Sequence, residues 1–445
     1  MSAAGRSGDA ATSELGHPRP AGDFGDPPVR IGVIGTGFVA SHFVRELMHR
    51  PAWQLAGVLT RRPLDACADF PAQGQLTDSL DRLVGAAEVV VECTGDVLWA
   101  TETIGACLAA GRLVVTLNPE FHVTAGSYFI GDGLLTEAEG DQPGCEAALW
   151  EEAVALGFEP LVLGNMKGFL NRTPSLEDMR HWAGVQGISL PMVTSFTDGT
   201  KLQFEQALVG NYFGADIACE ELIGPATDDL AEASRILGDA ATRIGAPITD
   251  YVLSRKLPHG VFLVAHHKQE QRAALRYLKL GDGPYYTLIR NNIFVHLELF
   301  KTLERVVRHG RVLLHNTAVP RLSVAAVAKR ALAAGTRIER GCGSFDLRGV
   351  CVRIDDRPDH LPIGLAERMV VRRKVEPGQV LTFADVELPP SRALDAWHAV
   401  RARRAAVLDR CGCATPRTAG DEERTGGHHE HPHSGREADP PGPAR

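Results

Sequence analysis

The stretch from residue 29 to 40, VRIGVIGTGFVA, constrains the fold more than any other part of the sequence. An apolar, β-branched run stops at Gly35 and Gly37, and a helical pattern follows at 41–49. This order of strand, glycine turn and helix is the context of a dinucleotide-binding fingerprint. Gly35 permits the tight turn, Gly37 leaves room for a pyrophosphate, and Ala40 lets the helix pack closely on the strand. We therefore predict a Rossmann domain that binds a dinucleotide, the alternative being a purely structural turn. The residues predicted to line the phosphates are Gly35, Thr36, Gly37, Phe38 and Val39.

Composition and charge exclude several classes of protein. The chain has 445 residues, 44% of them hydrophobic, which suits two or three domains with sizeable cores. Its net charge of −8 argues against nucleic-acid binding, and no apolar run is long enough to cross a membrane. Residues 1–28 lack the apolar core of a signal peptide, so we expect a disordered leader on a cytoplasmic protein. The nine scattered cysteines fit a reducing compartment.

Strands alternate with helices in the part of the chain that follows the glycine turn. Buried strands are predicted at 53–59, 88–93 and 113–117, with a helix at 98–110. This alternation predicts a parallel sheet with right-handed crossovers, and ligands bind beyond the carboxyl ends of such strands. The residues that follow those ends, and are therefore predicted to contact the cofactor, are Thr94, Gly95, Asn118 and Glu120.

The strand at 53–59 ends in Thr60, Arg61 and Arg62. NAD-selective sites place a carboxylate near this position to accept the ribose hydroxyls. A guanidinium instead pairs with a 2′-phosphate. We therefore predict NADPH rather than NADH as the cofactor, with Arg61 and Arg62 at the 2′-phosphate. The alternative is that both arginines lie in a solvated loop.

The pattern changes near residue 166. We assign residues 29–165 to the Rossmann domain and 166–315 to an α+β substrate domain that also forms the interface of a homodimer. The elements predicted on either side of this boundary are helices at 145–156, 202–209 and 294–308, and strands at 159–163, 193–201, 260–266 and 285–289.

An internal repeat marks the third part of the chain. Residues 328–338 and 371–381 match position for position as strand, glycine turn and strand. Two copies are too few for a solenoid, so the repeat predicts a small β-rich domain at 320–390. The tail at 410–445, with Cys411, Cys413 and a run of histidines, is predicted to be disordered.

Several motifs outside the glycine turn are more specific than it is. They are GDQPG at 140–144, GNMKGFL at 164–170, the segment 195–201, GDGP at 281–284, the repeat, and LTFADVELP at 381–389. With these motifs the chain resembles, from about residue 28 to 390, the homoserine-dehydrogenase-like oxidoreductases with a C-terminal SAF domain. The resemblance implies an NAD(P)-dependent oxidoreductase with a Rossmann domain, a substrate domain and a SAF domain at 320–390.

The resemblance leaves the substrate open. One branch of the family is known as the 1-deoxyxylulose-5-phosphate reductoisomerase-like enzymes, which implies a small polyhydroxy or sugar-phosphate substrate. Homoserine dehydrogenase is an alternative, although true homoserine dehydrogenases place a lysine where this chain has Pro119. A third alternative is a nucleotide-sensing or SAF-mediated binding protein without catalysis.

Hydride transfer at a carbon that bears oxygen needs a proton donor or acceptor and a positive charge beside the developing alkoxide. Lys167 and Lys201 each lie in a glycine-flanked turn after a predicted strand. Asp198 lies three residues before Lys201, and Glu205 one helical turn after it. We predict that these four residues are catalytic. The alternative is that Asp198 caps a helix while Lys201 and Glu205 form a surface ion pair.

Two further aspartates, Asp141 and Asp282, are candidates for substrate contacts, each with a simple turn residue as the alternative. A reductoisomerase would also gain from Mg²⁺ or Mn²⁺ bridging two substrate oxygens. The carboxylates that could supply oxygen ligands are Glu120, Asp141, Asp198 and Glu205. The sequence assigns no metal ligand set among them.

Overall fold

The first part of the chain forms a six-stranded parallel sheet in the computed structural model, which describes residues 27–410. The strand order is β3-β2-β1-β4-β5-β6, that of a dinucleotide-binding sheet, so the predicted Rossmann domain is confirmed. The predicted tail beyond residue 410, and the predicted leader up to residue 26, lie outside the described residues. The strands are β1 (Val29–Ile34), β2 (Trp53–Leu59), β3 (Leu76–Thr77), β4 (Val89–Glu92), β5 (Leu113–Thr116) and β6 (Leu135–Glu137). The helices between and after them are α1 (Phe38–Leu47), α2 (Leu80–Ala86), α3 (Val97–Ala109) and α4 (Pro119–Thr124).

Both faces of this sheet are covered, as the unbroken apolar runs of its strands require. On β4, Val89 and Val91 face one apolar cluster and Val90 faces the other. The first cluster includes α1 and also α11 (Leu299–His309), whose Phe300 ring lies 5.1 Å from that of Phe43. The helix expected at 294–308 therefore packs on the Rossmann sheet, because its apolar stripe fits there.

A second, mixed sheet follows, with the order β10-β9-β7-β8. Only β7 and β8 are parallel among its neighbouring strands, so their carboxyl ends lie side by side. The domain boundary drawn at residue 165 falls inside β7. The strands are β7 (Glu159–Lys167), β8 (Ile248–Leu253), β9 (Gly260–His266) and β10 (Tyr286–Asn291). The other helices of this part are α5 (Gln142–Ala155), α6 (Leu176–Gln186), α7 (Leu190–Asp198), α8 (Thr200–Phe213), α9 (Leu230–Ile244) and α10 (Arg272–Tyr277).

The strand predicted at 193–201 is wrong, because these residues form the end of α7 and the start of α8. The β-branched residues in this segment favoured a strand. However, Pro191 lies in the first turn of α7, where proline favours a helix. Gly199, with φ of 88°, ends α7 and begins α8.

The last part of the chain is the predicted small β-rich module, which we call the C-terminal module. It contains β11 (Leu322–Ala328), β12 (Arg337–Ile338), β13 (Leu347–Arg353), β14 (Met369–Val371) and β15 (Val386–Glu387), followed by α12 (Arg392–Arg410). Residues 27–404 are the described part of one unit, and residues 405–410, at the end of α12, are the described part of a second. No helix among residues 27–410 is long and apolar enough to cross a membrane.

The two copies of the repeat pair with each other inside this module. Equivalent positions make equivalent backbone hydrogen bonds, so a local two-fold axis relates the copies. The pairs are Leu332 with Val375 in both directions at 2.9 Å, Gly335 N–H to Val371 O at 2.7 Å, and Gly378 N–H to Ala328 O at 2.8 Å. Gly335 and Gly378 both have positive φ, which explains why the repeat keeps a glycine at that position.

Candidate active site

The glycine turn after β1 has the geometry that a dinucleotide requires. Gly35 has φ of 115°, and a Cβ there would lie 3.1 Å from the carbonyl oxygen of Cys93. A Cβ on Gly37 would meet nothing within 4 Å, so the space in front of this residue is open. Gly37 also precedes the first residue of α1, Phe38, whose amide lies at the helix N-terminus. The turn therefore fits a pyrophosphate bound against the start of α1.

A cleft of about 440 Å³ opens at the end of β2. Its walls include Leu64, Leu80 and the ring of Trp99, which offer an apolar surface to an adenine. Arg61 and Arg62 line the same cleft, where the ribose of a bound dinucleotide would lie. The cleft therefore fits the adenosine half of a dinucleotide.

Arg61 is not a free loop residue. Its guanidinium lies 2.5 Å from a carboxylate oxygen of Asp96 and 4.4 Å from the centre of the Trp99 ring. Burial raises the pKa of Asp96, but its hydrogen bonds with the Trp99 amide and Arg61 outweigh burial and leave that pKa lowered. Arg62 is exposed, and its amide donates to Thr60 Oγ1 at 3.1 Å.

The residues predicted after β4 and β5 are joined in a buried network around Glu92. Its carboxylate accepts hydrogen bonds from the Thr94 amide at 2.7 Å, Thr116 Oγ1 at 2.7 Å and Asn118 Nδ2 at 3.3 Å. Burial raises the pKa of Glu92 although these bonds oppose it. Asn118 Oδ1 also accepts from the Phe121 amide and caps α4. Both the oxygen and the nitrogen of the Asn118 side-chain amide are thus hydrogen-bonded within the protein. Gly95 is outside this network; it has φ of 61° and lies beside α7.

Lys201 lies in the first turn of α8 between two carboxylates. Its Nζ is 3.0 Å from Asp141 Oδ2 and 3.4 Å from Glu120 Oε2. Its side chain is only 6% exposed, so the surface ion pair considered from the sequence does not form. Burial alone would lower the pKa of Lys201, but Asp141, Glu120 and the further carboxylates Glu205 and Glu137 raise it above its usual range. Lys201 therefore remains a cation at neutral pH.

Lys167 and Glu205 lie beside this pair. Asn165 Nδ2 donates to Glu205 Oε2 at 2.9 Å, which fixes the carboxyl group. Burial raises the pKa of Glu205 to about 8, with Asp141 adding to the effect. Burial lowers the pKa of Lys167, and the charge of Lys201 lowers it further, although Glu205 and Asp141 oppose this. The two lysines thus have pKa values shifted in opposite directions.

Two of the predicted residues have other contacts. Asp198 accepts hydrogen bonds from Lys329 Nζ at 2.6 Å and from the Thr200 amide at 2.8 Å, so it joins α8 to the C-terminal module. Asp282 is largely exposed and pairs with Arg276, and none of its described contacts is with the lysines. The structure thus brings together Lys201, Lys167, Glu205, Asp141 and Glu120.

The four carboxylates considered as metal ligands do not form one ligand set. Glu120 and Asp141 hold Lys201, Asp198 pairs with Lys329, and Glu205 is bonded to Asn165. Among residues 27–410 no group of three or more His, Cys, Asp or Glu side chains could hold a metal ion. Each of these carboxylates is thus already engaged by another side chain of the protein.

Sequence reasoning missed three residues of the site's surroundings. Asn165 stands within the GNMKGFL motif, which was the available signal for it. Glu137 ends the three-residue strand β6, which is too short to show a pattern, and burial raises its pKa well above the usual range. Lys329 lies 131 positions from Asp198 in the sequence, and no local pattern links the two.

The fold and the site define an oxidoreductase with a dinucleotide-binding domain. Residues 35–127 match the family described as the NAD binding domain of homoserine dehydrogenase. Residues 140–299 match the family described as the catalytic domain of oxidoreductase DRL, which includes all five clustered residues except Glu120. These matches identify the chain as an NAD(P)-dependent oxidoreductase. A comparison with curated proteins gives no match to the chain.

Solved structures of dehydrogenases show a distant likeness. The UDP-N-acetylglucosamine 3-dehydrogenase of Acidithiobacillus ferrooxidans is 13% identical, with a TM-score of 0.40, and the alignment covers 66% of this chain and 93% of that one. A myo-inositol dehydrogenase of Corynebacterium glutamicum is 14% identical, with a TM-score of 0.39, over 64% of this chain and 90% of that one. Neither likeness identifies a substrate for this chain.

Proposed function

We propose that this protein uses NADPH to reduce the carbonyl group of a small polyhydroxy or sugar-phosphate substrate, or carries out the reverse oxidation. The observation that carries the proposal is the buried Lys201 ammonium, held between Asp141 and Glu120 beyond the strands that bind the cofactor. Several polar groups around one cation suit a substrate with more than one hydroxyl group. The Oδ1 atom of Asn165 is buried without a hydrogen-bond partner among the described residues and is available to a substrate hydroxyl.

The proposed cofactor contacts follow from the glycine turn after β1 and the cleft at the end of β2. Gly35, Gly37 and the start of α1 would bind the pyrophosphate, and the cleft at Arg61 and Arg62 would bind the adenosine. NADPH, when bound, supplies the hydride for the carbonyl carbon. The guanidinium of Arg62, which is exposed, is free to pair with a 2′-phosphate.

Lys201 and Lys167 would have different roles, because their pKa values are shifted in opposite directions. A lysine with a raised pKa keeps its charge, whereas a lysine with a lowered pKa can transfer a proton. Lys201 stays charged and would donate a hydrogen bond to the carbonyl oxygen, which stabilises the alkoxide as it forms. Lys167 loses its proton more easily than an ordinary lysine and would deliver a proton to that oxygen. Glu205, with a pKa of about 8, would return a proton to Lys167.

Turnover of carbonyl substrates tests this function. Each reaction contains purified full-length protein, NADPH and one carbonyl compound. The compounds are 1-deoxyxylulose 5-phosphate, other ketose and aldose phosphates, inositol-type ketones and aspartate semialdehyde. We expect NADPH oxidation with a polyhydroxy or sugar-phosphate carbonyl. Oxidation only with aspartate semialdehyde would support homoserine dehydrogenase instead. NADPH binding without turnover of any carbonyl would favour a nucleotide-sensing protein.

Cofactor choice is tested at the arginines that follow β2. The double variant Arg61→Ala, Arg62→Ala should weaken NADPH binding much more than NADH binding, because only NADPH carries the 2′-phosphate. Fluorescence titration with both cofactors measures the two dissociation constants. Arg45→Ala, an exposed arginine on α1, is the control and should change neither. Equal losses for NADPH and NADH in the double variant would contradict the assignment.

A further inference from the structure

The loop at 339–346, between β12 and β13 of the C-terminal module, reaches the cofactor side of the active site. Lys329 fixes the loop, because its Nζ donates at 2.6 Å both to the Ser344 carbonyl oxygen and to Asp198 at the end of α7. Gly343 lies so close to the first turn of α7 that a Cβ would be 2.0 Å from the Pro191 carbonyl oxygen. The loop is therefore packed tightly against α7.

The first turn of α7 in turn lies against the cofactor-binding end of β4. A Cβ on Gly95 would be 3.1 Å from Cε of Met192, the residue that follows Pro191. Gly95 immediately precedes Asp96, whose carboxylate caps α3 and pairs with Arg61 of the adenosine cleft. Packing thus continues from the loop through α7 to the residues that would bind the dinucleotide.

The charges of the loop act on both halves of the active site. Burial raises the pKa of the Cys342 thiol, and the negative charges of Glu120 and Asp198 add to this effect. Arg340, two residues earlier, helps to lower the pKa of Asp96. The loop therefore lies within electrostatic range of Asp96, which pairs with Arg61, and of Glu120, which pairs with Lys201.

Arg340 carries a positive charge that the surrounding protein does not pair. No hydrogen bond or ion pair joins its guanidinium to any residue in 27–410. Of its two acidic neighbours, Asp96 is already bound to Arg61. Burial raises the pKa of Glu367 to about 7 although the charge of Arg340 opposes this, so that the Glu367 carboxyl is partly neutral at physiological pH. A half-buried guanidinium in such a place is suited to an anionic ligand.

We propose that Arg340 binds a phosphate group of the dinucleotide, so that the C-terminal module forms part of the cofactor site. The proposal rests on the dinucleotide assignment made above and adds a contact that neither matched family segment contains, since these end at residue 299. A guanidinium can pair with either of two phosphate groups. One is the pyrophosphate, which NADH shares with NADPH, and the other is the 2′-phosphate, which only NADPH has.

Cofactor titration of full-length variants tests this contact. Arg340→Gln keeps a polar side chain but removes the charge, and Arg340→Lys keeps the charge. We expect Arg340→Gln to weaken NADPH binding by about tenfold, the effect of losing one charge-assisted hydrogen bond, and Arg340→Lys to weaken it less. Arg337→Ala, an exposed arginine in β12 of the same module, should bind NADPH like the wild type. Thermal melting without cofactor checks that all variants are folded.

The NADH arm identifies the phosphate. Equal weakening of NADH and NADPH by Arg340→Gln would place Arg340 at the pyrophosphate, and weakening of NADPH alone would place it at the 2′-phosphate. Unchanged affinity of Arg340→Gln for both cofactors, with a wild-type protein that binds them, would overturn this proposal and leave the proposed function intact. A wild-type protein that binds neither cofactor would overturn both.

Discussion

At the scale of single residues, the environment separates side chains that the sequence presents as equivalent. Lys167 and Lys201 both follow predicted strands in glycine-flanked turns. Only the structure shows that Lys201 lies between Asp141 and Glu120. The charge of Glu205, which is hydrogen-bonded to Asn165, acts on Lys167. The residue types could be predicted, but the opposite shifts of the pKa values of the two lysines depend on distances that no spacing encodes.

Glu205 should make stability depend on pH. Its pKa is about 8 in the folded protein and near its ordinary value of 4.5 in the unfolded chain. Between these values the folded state binds more protons, so the free energy of unfolding falls as pH rises. Glu205→Gln removes this contribution, and the slope against pH should become shallower by up to about 1.4 kcal/mol per pH unit.

Urea unfolding of the wild type and Glu205→Gln at several pH values between 5 and 8 measures this difference. Glu270→Gln, which changes an exposed carboxyl, is the control and should keep the wild-type slope. A Glu205→Gln protein with an unchanged slope would show that Glu205 is ionised at neutral pH in the folded state.

At the scale of helices and strands, the sequence predicted most of the Rossmann sheet. The limits of β2 and β9 agree with the predictions residue for residue, because each is a short apolar run with a polar or glycine boundary. The segment 193–201 failed because its β-branched composition competed with a proline at the start of α7 and a glycine at its end. From the repeat, the sequence predicted a small β-rich module but not the pairing of its two copies. The register of that pairing depends on how the two copies fold against each other.

The ion pair between α7 and the C-terminal module should contribute strongly to stability. Lys329 and Asp198 are 3% and 0% exposed, and Lys329→Met leaves the Asp198 carboxylate buried without its cation. We expect a loss of about 3 to 5 kcal/mol in the free energy of unfolding, measured by urea denaturation. Lys374→Met, which breaks an exposed pair with Glu376, should cost less than about 1 kcal/mol. Similar losses in both variants would contradict this role of Lys329.

At the scale of the whole molecule, contacts distant in sequence join the parts that the sequence suggested as separate domains. The helix α11, from the end of the segment assigned to the substrate domain, packs on the Rossmann sheet. The C-terminal module donates the Gly349 amide to Thr200 Oγ1 at 2.8 Å, one residue before Lys201. A composition-based division of the chain could not show these contacts, because each depends on the packing of segments more than a hundred residues apart.

The homodimer remains a prediction. Large apolar side chains are exposed in the segment 277–297, where we propose that the interface lies. They are Tyr277, Leu278, Ile289, Phe294 and Leu297. Ile289→Lys should convert a dimer to a monomer in light scattering after gel filtration, whereas Val154→Lys on α5, equally exposed at 50%, should remain dimeric. A monomeric wild type, or a dimeric Ile289→Lys variant, would contradict the proposal.

The most direct test of the proposed catalysis is the turnover number of Lys201→Met with NADPH and a carbonyl substrate that the wild type reduces. Loss of the buried ammonium should lower kcat by about a hundredfold or more, because the developing alkoxide loses its stabilising charge. The dissociation constant for NADPH should not change, and Lys268→Met, which alters an exposed lysine, should have wild-type kcat. A Lys201→Met enzyme with full turnover would contradict the catalytic role assigned to the lysine held between Asp141 and Glu120.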